Sequence, residues 1–430
     1  MTARLTANIV ERAVLFSENI MMRESMYKKK ENLEYGIITV LSVGIFLTIA
    51  GMLTGKGLQD STVYNSYALQ ADSWRQGRLD LGQDYPWLEL AIYQGKYYVS
   101  FPPFPSYILF PLTFFFGSNT PDACILFISN LLCTFYMYRL AVKERINPQA
   151  AMLETLQAVI CSNYVFVMLD PSVWFIAQAM CVTLSVAAVY YAVEGKGGLA
   201  LALWACSVGC RPMQIVFLPL LLYLLYQKEH MDCPERKVLE MIRRRALWFV
   251  PVTLIAVSYM VLNYVRFGNI LEFGRKYLPE FVNESNGQFN VIYMKEHIRQ
   301  LFAWPRFDEN GRMIIDNMGN LSMMLITPVF TICILCMIYS VAKGNTALLR
   351  KLIFVSILAT IYMTIIVMHR TMGAWQFGNR YSNDIIPWIY LGILWCDKEY
   401  PGFVKYHIPF AIWGLCLNLV GSVAVYNWWI

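Results

Sequence analysis

The feature that most constrains this chain is the recurrence, almost from end to end, of apolar runs long enough to cross a lipid bilayer. They fall at about 37–54, 121–142, 151–169, 172–194, 197–210, 212–226, 247–264, 320–342, 352–369, 383–396 and 408–428. A helix in hydrocarbon needs about 20 mostly apolar residues, because lipid offers the backbone no hydrogen-bond partner. The pattern predicts an all-α polytopic membrane protein with about eleven transmembrane helices. Composition agrees: 57% of the residues are hydrophobic and 15% charged, against about 25% charged in a soluble domain. Proline removes a ladder bond, so Arg211-Pro212, between two of the runs, predicts a tight hairpin or a kink.

The net charge of +6 does not describe a nucleic-acid binder, since the basic residues form short clusters between apolar runs rather than one stripe. These clusters are Arg23 with Lys28, Lys29 and Lys30; Arg139, Lys143 and Arg145; Lys228, Arg236, Lys237, Arg243, Arg244 and Arg245; and Lys343, Arg350 and Lys351. The positive-inside rule puts them all on the cytoplasmic face provided that the run 102–117 does not cross. That run is short for a span and is expected to be interfacial or re-entrant. Residues 1–36 then form a cytoplasmic segment without a cleavable signal, and the first helix is its own anchor. Residues 37–430 form one transmembrane domain with outer loops at 55–120, 265–319 and 370–382, and the C-terminus lies outside. Nine cysteines, Cys124, Cys133, Cys161, Cys181, Cys206, Cys210, Cys333, Cys336 and Cys416, lie in apolar runs and read as small hydrophobes. The Cys333/Cys336 pair has no second pair or histidine cluster to make a zinc site.

Chemistry is therefore sought in the outer loops. The first sets Asp72, Asp80, Asp84 and Glu89 among Trp74, Trp87, Tyr93, Tyr97 and Tyr98. A carboxylate can take a hydroxyl proton as general base, and aromatic rings pack on sugar faces; a solvated loop with interfacial aromatics has the same composition. The second loop carries Arg266, Arg275 and Lys276 among glycines. A guanidinium fork binds two phosphate oxygens at once, although lipid headgroups would also hold these residues. The third gathers His369, Arg370, Trp375, Arg380, Tyr381 and Asp384. Asp170 and Arg211 stand alone near membrane depth, where ionisable groups tend to be paired or functional.

Three stretches, QGKYYVSFPPFP, NYVRFGNILEFG and WQFGNRYSNDIIP, follow a single span and an acidic outer loop. In this order, over residues 36–396, the chain resembles bacterial membrane proteins of the glycosyltransferase C (GT-C) superfamily, related to protein O-mannosyltransferases and lipid A aminoarabinose transferases. The resemblance implies a helical core with juxtamembrane helices in the first outer loop, in the bacterial cytoplasmic membrane. It also implies inverting sugar transfer from a polyprenyl-phosphate-linked donor to a glycan, lipid or protein acceptor on the outer face, with membrane lipid but no nucleic acid as partner. The family's acid after the first span is replaced here by Val63, Tyr64 and Asn65. Glu89 or Asp72 is then expected as the base. Arg211, Arg266, Arg380, Lys96, Tyr97, Trp375 and His369 are expected to bind substrate and phosphate. A divalent metal, if one assists, would have Asp72 and Asp170 as candidate ligands. A lipid or solute transporter or flippase, and an inactive scaffold of the same fold, are the alternatives.

Overall fold

A computed structural model describes residues 2–58, 60–232, 234, 238–315 and 318–429. Six helical stretches among them are long and apolar enough to cross a membrane: Lys28–Thr54, Asp122–Lys143, Val173–Val193, Ala246–Phe267, Thr346–Val367 and Pro401–Tyr426. Strand is confined, among the described residues, to two short antiparallel hairpins. The chain is thus an all-α polytopic membrane protein.

Helix α1 (Thr2–Thr54) leads into the first loop, which holds α2 (Ser66–Arg75), the hairpin β1 (Leu90–Tyr93) and β2 (Lys96–Val99), and α3 (Phe104–Phe116). Then come α4 (Asp122–Lys143), α5 (Pro148–Val159), α6 (Tyr164–Met168), α7 (Val173–Val193), α8 (Gly197–Val208), α9 (Leu218–Asp232), α10 (Val238–Arg244) and α11 (Phe249–Phe267). The second loop carries α12 (Pro279–Val282), α13 (Met294–Leu301) and the hairpin β3 (Arg306–Phe307) and β4 (Met313–Ile314). The chain closes with α14 (Met323–Ile326), α15 (Pro328–Ala342), α16 (Thr346–Val367), α17 (Ile386–Glu399) and α18 (His407–Tyr426). Helix α7 is apolar on every side, as a helix enclosed by others must be. It packs on α4, α8, α9 and α17 at the centre of the bundle.

Several of the apolar runs are shorter or interrupted helices rather than full spans. The run 151–169 divides between α5 and α6 because Ser162 bonds back to Ala158 O at 2.7 Å and the Asn163 side chain donates to Phe377 O. The run 320–342 breaks at Thr327 and Pro328, the first residue of α15. At the predicted break, Arg211 is extended (φ −140°, ψ 98°) and Pro212–Phe217 forms a 3₁₀ turn before α9. Irregular backbone is tolerated at such depth where it is buried in protein. Helix α3 has 13 residues, about 20 Å of rise against roughly 30 Å of hydrocarbon. Ser106 on α3 donates to Tyr67 O at 3.0 Å and Gln70 Oε1 at 2.9 Å, which ties it to α2 as a juxtamembrane pair.

The charges sort to the two ends of the bundle. At one end Lys143 pairs with Glu194, Lys398 with Glu144 at 3.3 Å and Arg245 with Glu229 at 3.0 Å. At the other, Asn427 donates to Leu53 O at 2.8 Å and Lys56 meets Asp170 at 2.8 Å. Arg236 and Lys237 of the basic clusters lie outside the described residues. Towards the basic end Glu154 of α5 and Asp397 of α17 are buried beside one another. The two carboxyl groups hydrogen-bond to one another, and His407 Nε2 stands 3.4 Å from Asp397.

Candidate active site

The site at the opposite end is organised around Asp384, in the 3₁₀ turn that starts the last third of the bundle. Its carboxylate is fully buried and accepts from Arg211 Nε at 2.9 Å, Gln178 Nε2 at 2.6 Å and the Tyr362 hydroxyl. Gln214 Nε2 donates to its backbone oxygen at 2.8 Å. A buried carboxylate is stable when its lone pairs are filled in this way. The extended backbone at Arg211 carries its guanidinium to Asp384, so the Arg-Pro break has a structural purpose.

Two guanidinium groups grip one ring next to this anchor. Arg211 and Arg380 each lie 4.7 Å from the centre of the Tyr381 ring, and Arg380 also lies 5.3 Å from that of Phe175. Arg380 is 4% exposed, yet its Nε and Nη1 have no hydrogen-bond partner among the described residues. Arg275 arrives from the second loop. Gly274 before it has φ 102°, and a Cβ there would come within 2.8 Å of the Phe267 ring and 3.2 Å of Ala91, so only glycine lets this turn settle on the first hairpin. The Arg275 guanidinium stacks 5.8 Å from Phe101 and 5.6 Å from Phe281, and its Nε is likewise buried and unpartnered.

Glu89, just before β1, accepts from Trp174 Nε1 at 3.0 Å. Burial pushes its carboxyl above the ordinary value; Arg275 opposes this, Glu280 adds to it, and the Trp174 hydrogen bond and, more weakly, Arg380 pull it back. Glu89 therefore stands in the fields of both Arg275 and Arg380. Tyr67 of α2 packs its ring 6.1 Å from Phe101, the ring that Arg275 also covers. Its buried hydroxyl has no hydrogen-bond partner among the described residues. Burial and then Cys210 push this phenol up, and Arg211 and Arg275 oppose them; the group is a neutral donor at ordinary pH. Trp375 completes the set with an orphaned Nε1 in a ring cluster with Phe166, Phe175 and Tyr426.

The other residues singled out from sequence sit differently. Arg266 is 2% exposed and spends Nη1 on Val99 O at 3.1 Å and Nη2 on Asn263 at 3.0 Å, which braces β2 against α11. Asp72 is held by Arg75 at 2.8 Å and Gln76 at 2.7 Å on its own helix. Lys96 is an exposed hairpin residue 3.5 Å from Asp80, and the Tyr97 backbone oxygen accepts from Leu81 N at 2.9 Å. His369 lies between the Phe281 and Phe289 rings, with Nδ1 2.8 Å from Thr371 O. Burial and the neighbouring Arg275 lower its pKa to about 4, so it is neutral at pH 7. Asp170 is filled by Lys56 and by Ser172, whose backbone N–H donates at 2.8 Å. Asp72 and Asp170 thus each accept from protein partners. Among the described residues no three His, Cys, Asp or Glu could hold a metal ion together, so no step is derived through one.

Tyr67, Gln178, Tyr362 and Trp174 were not singled out from sequence. Nothing in a tyrosine on a polar helix or a glutamine inside an apolar run distinguishes it from ordinary helix content. Arg275 carried a signal in the glycine before it.

No family model and no curated protein sequence matches the chain. Two solved structures resemble it: the Archaeoglobus fulgidus oligosaccharyltransferase in apo form, and the archaeal oligosaccharyltransferase AglB from Archaeoglobus fulgidus in complex with an inhibitory peptide and a dolichol-phosphate. Each is 12% identical, with a TM-score of 0.38, over 93% of this chain and 56% of the other. The chain thus spans about half the length of these structures. A likeness at this level carries no argument about activity, which rests on the residues themselves.

Proposed function

We propose that the chain is a GT-C-type membrane glycosyltransferase that moves a sugar from a polyprenyl-phosphate donor to an acceptor on the outer face of a bacterial cytoplasmic membrane. The reading is carried by an excess of donors. Among the described residues, Arg275 Nε, Arg380 Nε and Nη1, the Tyr67 hydroxyl and Trp375 Nε1 are buried without acceptors. Buried polar groups are ordinarily satisfied, so a set of orphaned donors that includes two guanidinium groups is what an anionic oxygen cluster would fill.

The step is a single inverting displacement. Glu89 takes the proton from an acceptor hydroxyl, whose oxygen attacks the anomeric carbon as that carbon's bond to the phosphate oxygen breaks. The bonding pair leaves with the phosphate, and Arg275, Arg380 and the Tyr67 hydroxyl receive its charge without reorganising. Arg211, fixed by Asp384, holds Tyr381 in place between the arginines. In this scheme the phosphate role expected of Arg266 passes to Arg275, and the base is Glu89 rather than Asp72. The basic end of the bundle faces the cytoplasm.

The test is turnover by the full chain in lipid nanodiscs supplied with radiolabelled polyprenyl-phosphate hexose and pentose. Release of free polyprenyl phosphate, reduced about 10²- to 10⁴-fold in Glu89→Gln, is the expected outcome. Movement of intact donor across reconstituted vesicles without cleavage would replace the reading with a flippase. Neither cleavage nor movement would leave a scaffold.

A further inference from the structure

A hollow of about 280 Å³ opens beside the proposed site, lined by Ser61, Thr62, Asn65, Tyr85, Trp87 and Asn119, with Val63 and Leu69 completing its wall. None of the described residues that line it is charged. Trp87 is 53% exposed, but it is not loose: its Nε1 donates to Val63 O at 3.0 Å, and the Tyr85 ring meets it edge-on at 5.7 Å. The indole face is therefore presented in a fixed orientation with amide and hydroxyl side chains around it. The hollow also connects to the chemistry. Between Val63 and Asn65, Tyr64 packs its ring 5.1 Å from Trp174, whose indole nitrogen donates to Glu89.

We infer that this hollow seats one uncharged sugar ring of the acceptor, so that the substrate receiving the transferred sugar is a neutral glycan. The inference rests on the transferase reading of Glu89 and goes beyond it by naming the acceptor class. The volume is at the small end for ligand sites, which run from about 300 Å³, and suits a single ring rather than a chain. A rigid aromatic face packs on the C–H side of a pyranose, and the neutral amides and hydroxyls bond its hydroxyls. A charged acceptor finds no counter-charge among these residues, and desolvating it there would be costly. The same loop thus performs two tasks: its Trp87 side positions the acceptor, and Glu89 two residues later takes the proton.

The experiment follows Trp emission of the full chain in nanodiscs as methyl glycosides of neutral hexoses, and galacturonate as the charged control, are added. Neutral glycosides should shift the emission saturably at millimolar concentration, Trp87→Phe should remove most of the shift, and galacturonate should give none. In the transfer assay Trp87→Ala should raise the KM for a neutral glycan acceptor about tenfold, the worth of one aromatic contact. A shift caused equally by galacturonate, or by changing the lipid composition of the disc but not by sugar, would overturn the inference and make Trp87 a headgroup anchor. An unaltered acceptor KM in Trp87→Ala would do the same. Loss of donor hydrolysis in the unmodified chain would instead count against the transferase reading, and glycoside binding would still decide the hollow.

Discussion

Arg380→Met should make the protein more stable and nearly inactive at once. The guanidinium is 4% exposed and lacks partners at Nε and Nη1. Burying a charge costs several kcal/mol, and each orphaned donor adds about 1–3 kcal/mol. The compensation consists of the Phe175 and Tyr381 rings, at 5.3 and 4.7 Å, which contribute about 1–2 kcal/mol each. The balance is unfavourable to arginine, and a methionine of similar length would stabilise the fold by about 1–4 kcal/mol, a rise of a few degrees in Tm. Removing one pre-placed donor from a developing anion should lower turnover about 10²- to 10³-fold. The two readouts are a thermal melt in nanodiscs and donor cleavage by the same sample. A lower Tm with turnover intact would refute the reasoning, since it would make Arg380 a structural brace and leave its orphaned donors without a ligand.

Other outcomes follow from the same contacts. Because the Glu89 carboxyl titrates above its ordinary value and must be ionised to act as base, the rate should rise with pH as it loses its proton. Trp174→Phe removes a hydrogen bond that favours the ionised form, so it should move that limb to higher pH. His369, with its pKa near 4, should add no limb between pH 5 and 8, and His369→Asn should leave the shape of the profile unchanged there. Arg211→Ala strands the fully buried Asp384 and should cost about 3–5 kcal/mol, whereas Arg211→Met with Asp384→Leu should recover much of the stability in urea or thermal melts but not the turnover.

The architecture was legible because its determinants are local. Length and apolarity announce helices, and charge asymmetry led to the expectation of a short segment at α3, which has 13 residues. The interrupted helices were not legible, since at the end of α5 the Asn163 side chain bonds a segment more than 200 residues away at Phe377. The site followed the same division. Glu89, Arg211, Arg380 and Trp375 stand out in the sequence as polar or aromatic groups in or between apolar runs, but sequence could not separate Arg266 from Arg275. Both are arginines beside glycines; one is consumed by Val99 and Asn263, and the other is left open only because Gly274 permits the turn.

The buried acids of the basic end bear on how the chain is put together during synthesis. Glu154 sits in the middle of the twelve-residue α5, and an acid at the centre of a membrane helix opposes its insertion by about 2.5–3.5 kcal/mol. The polar groups that accommodate α5 come from much later in the chain: Tyr390 reaches Thr155 at 3.1 Å, and Gln157 meets His407 at 3.0 Å. The buried face of α5 is therefore completed only by residues 235 and 250 positions further along the chain, once α17 and α18 have packed on it.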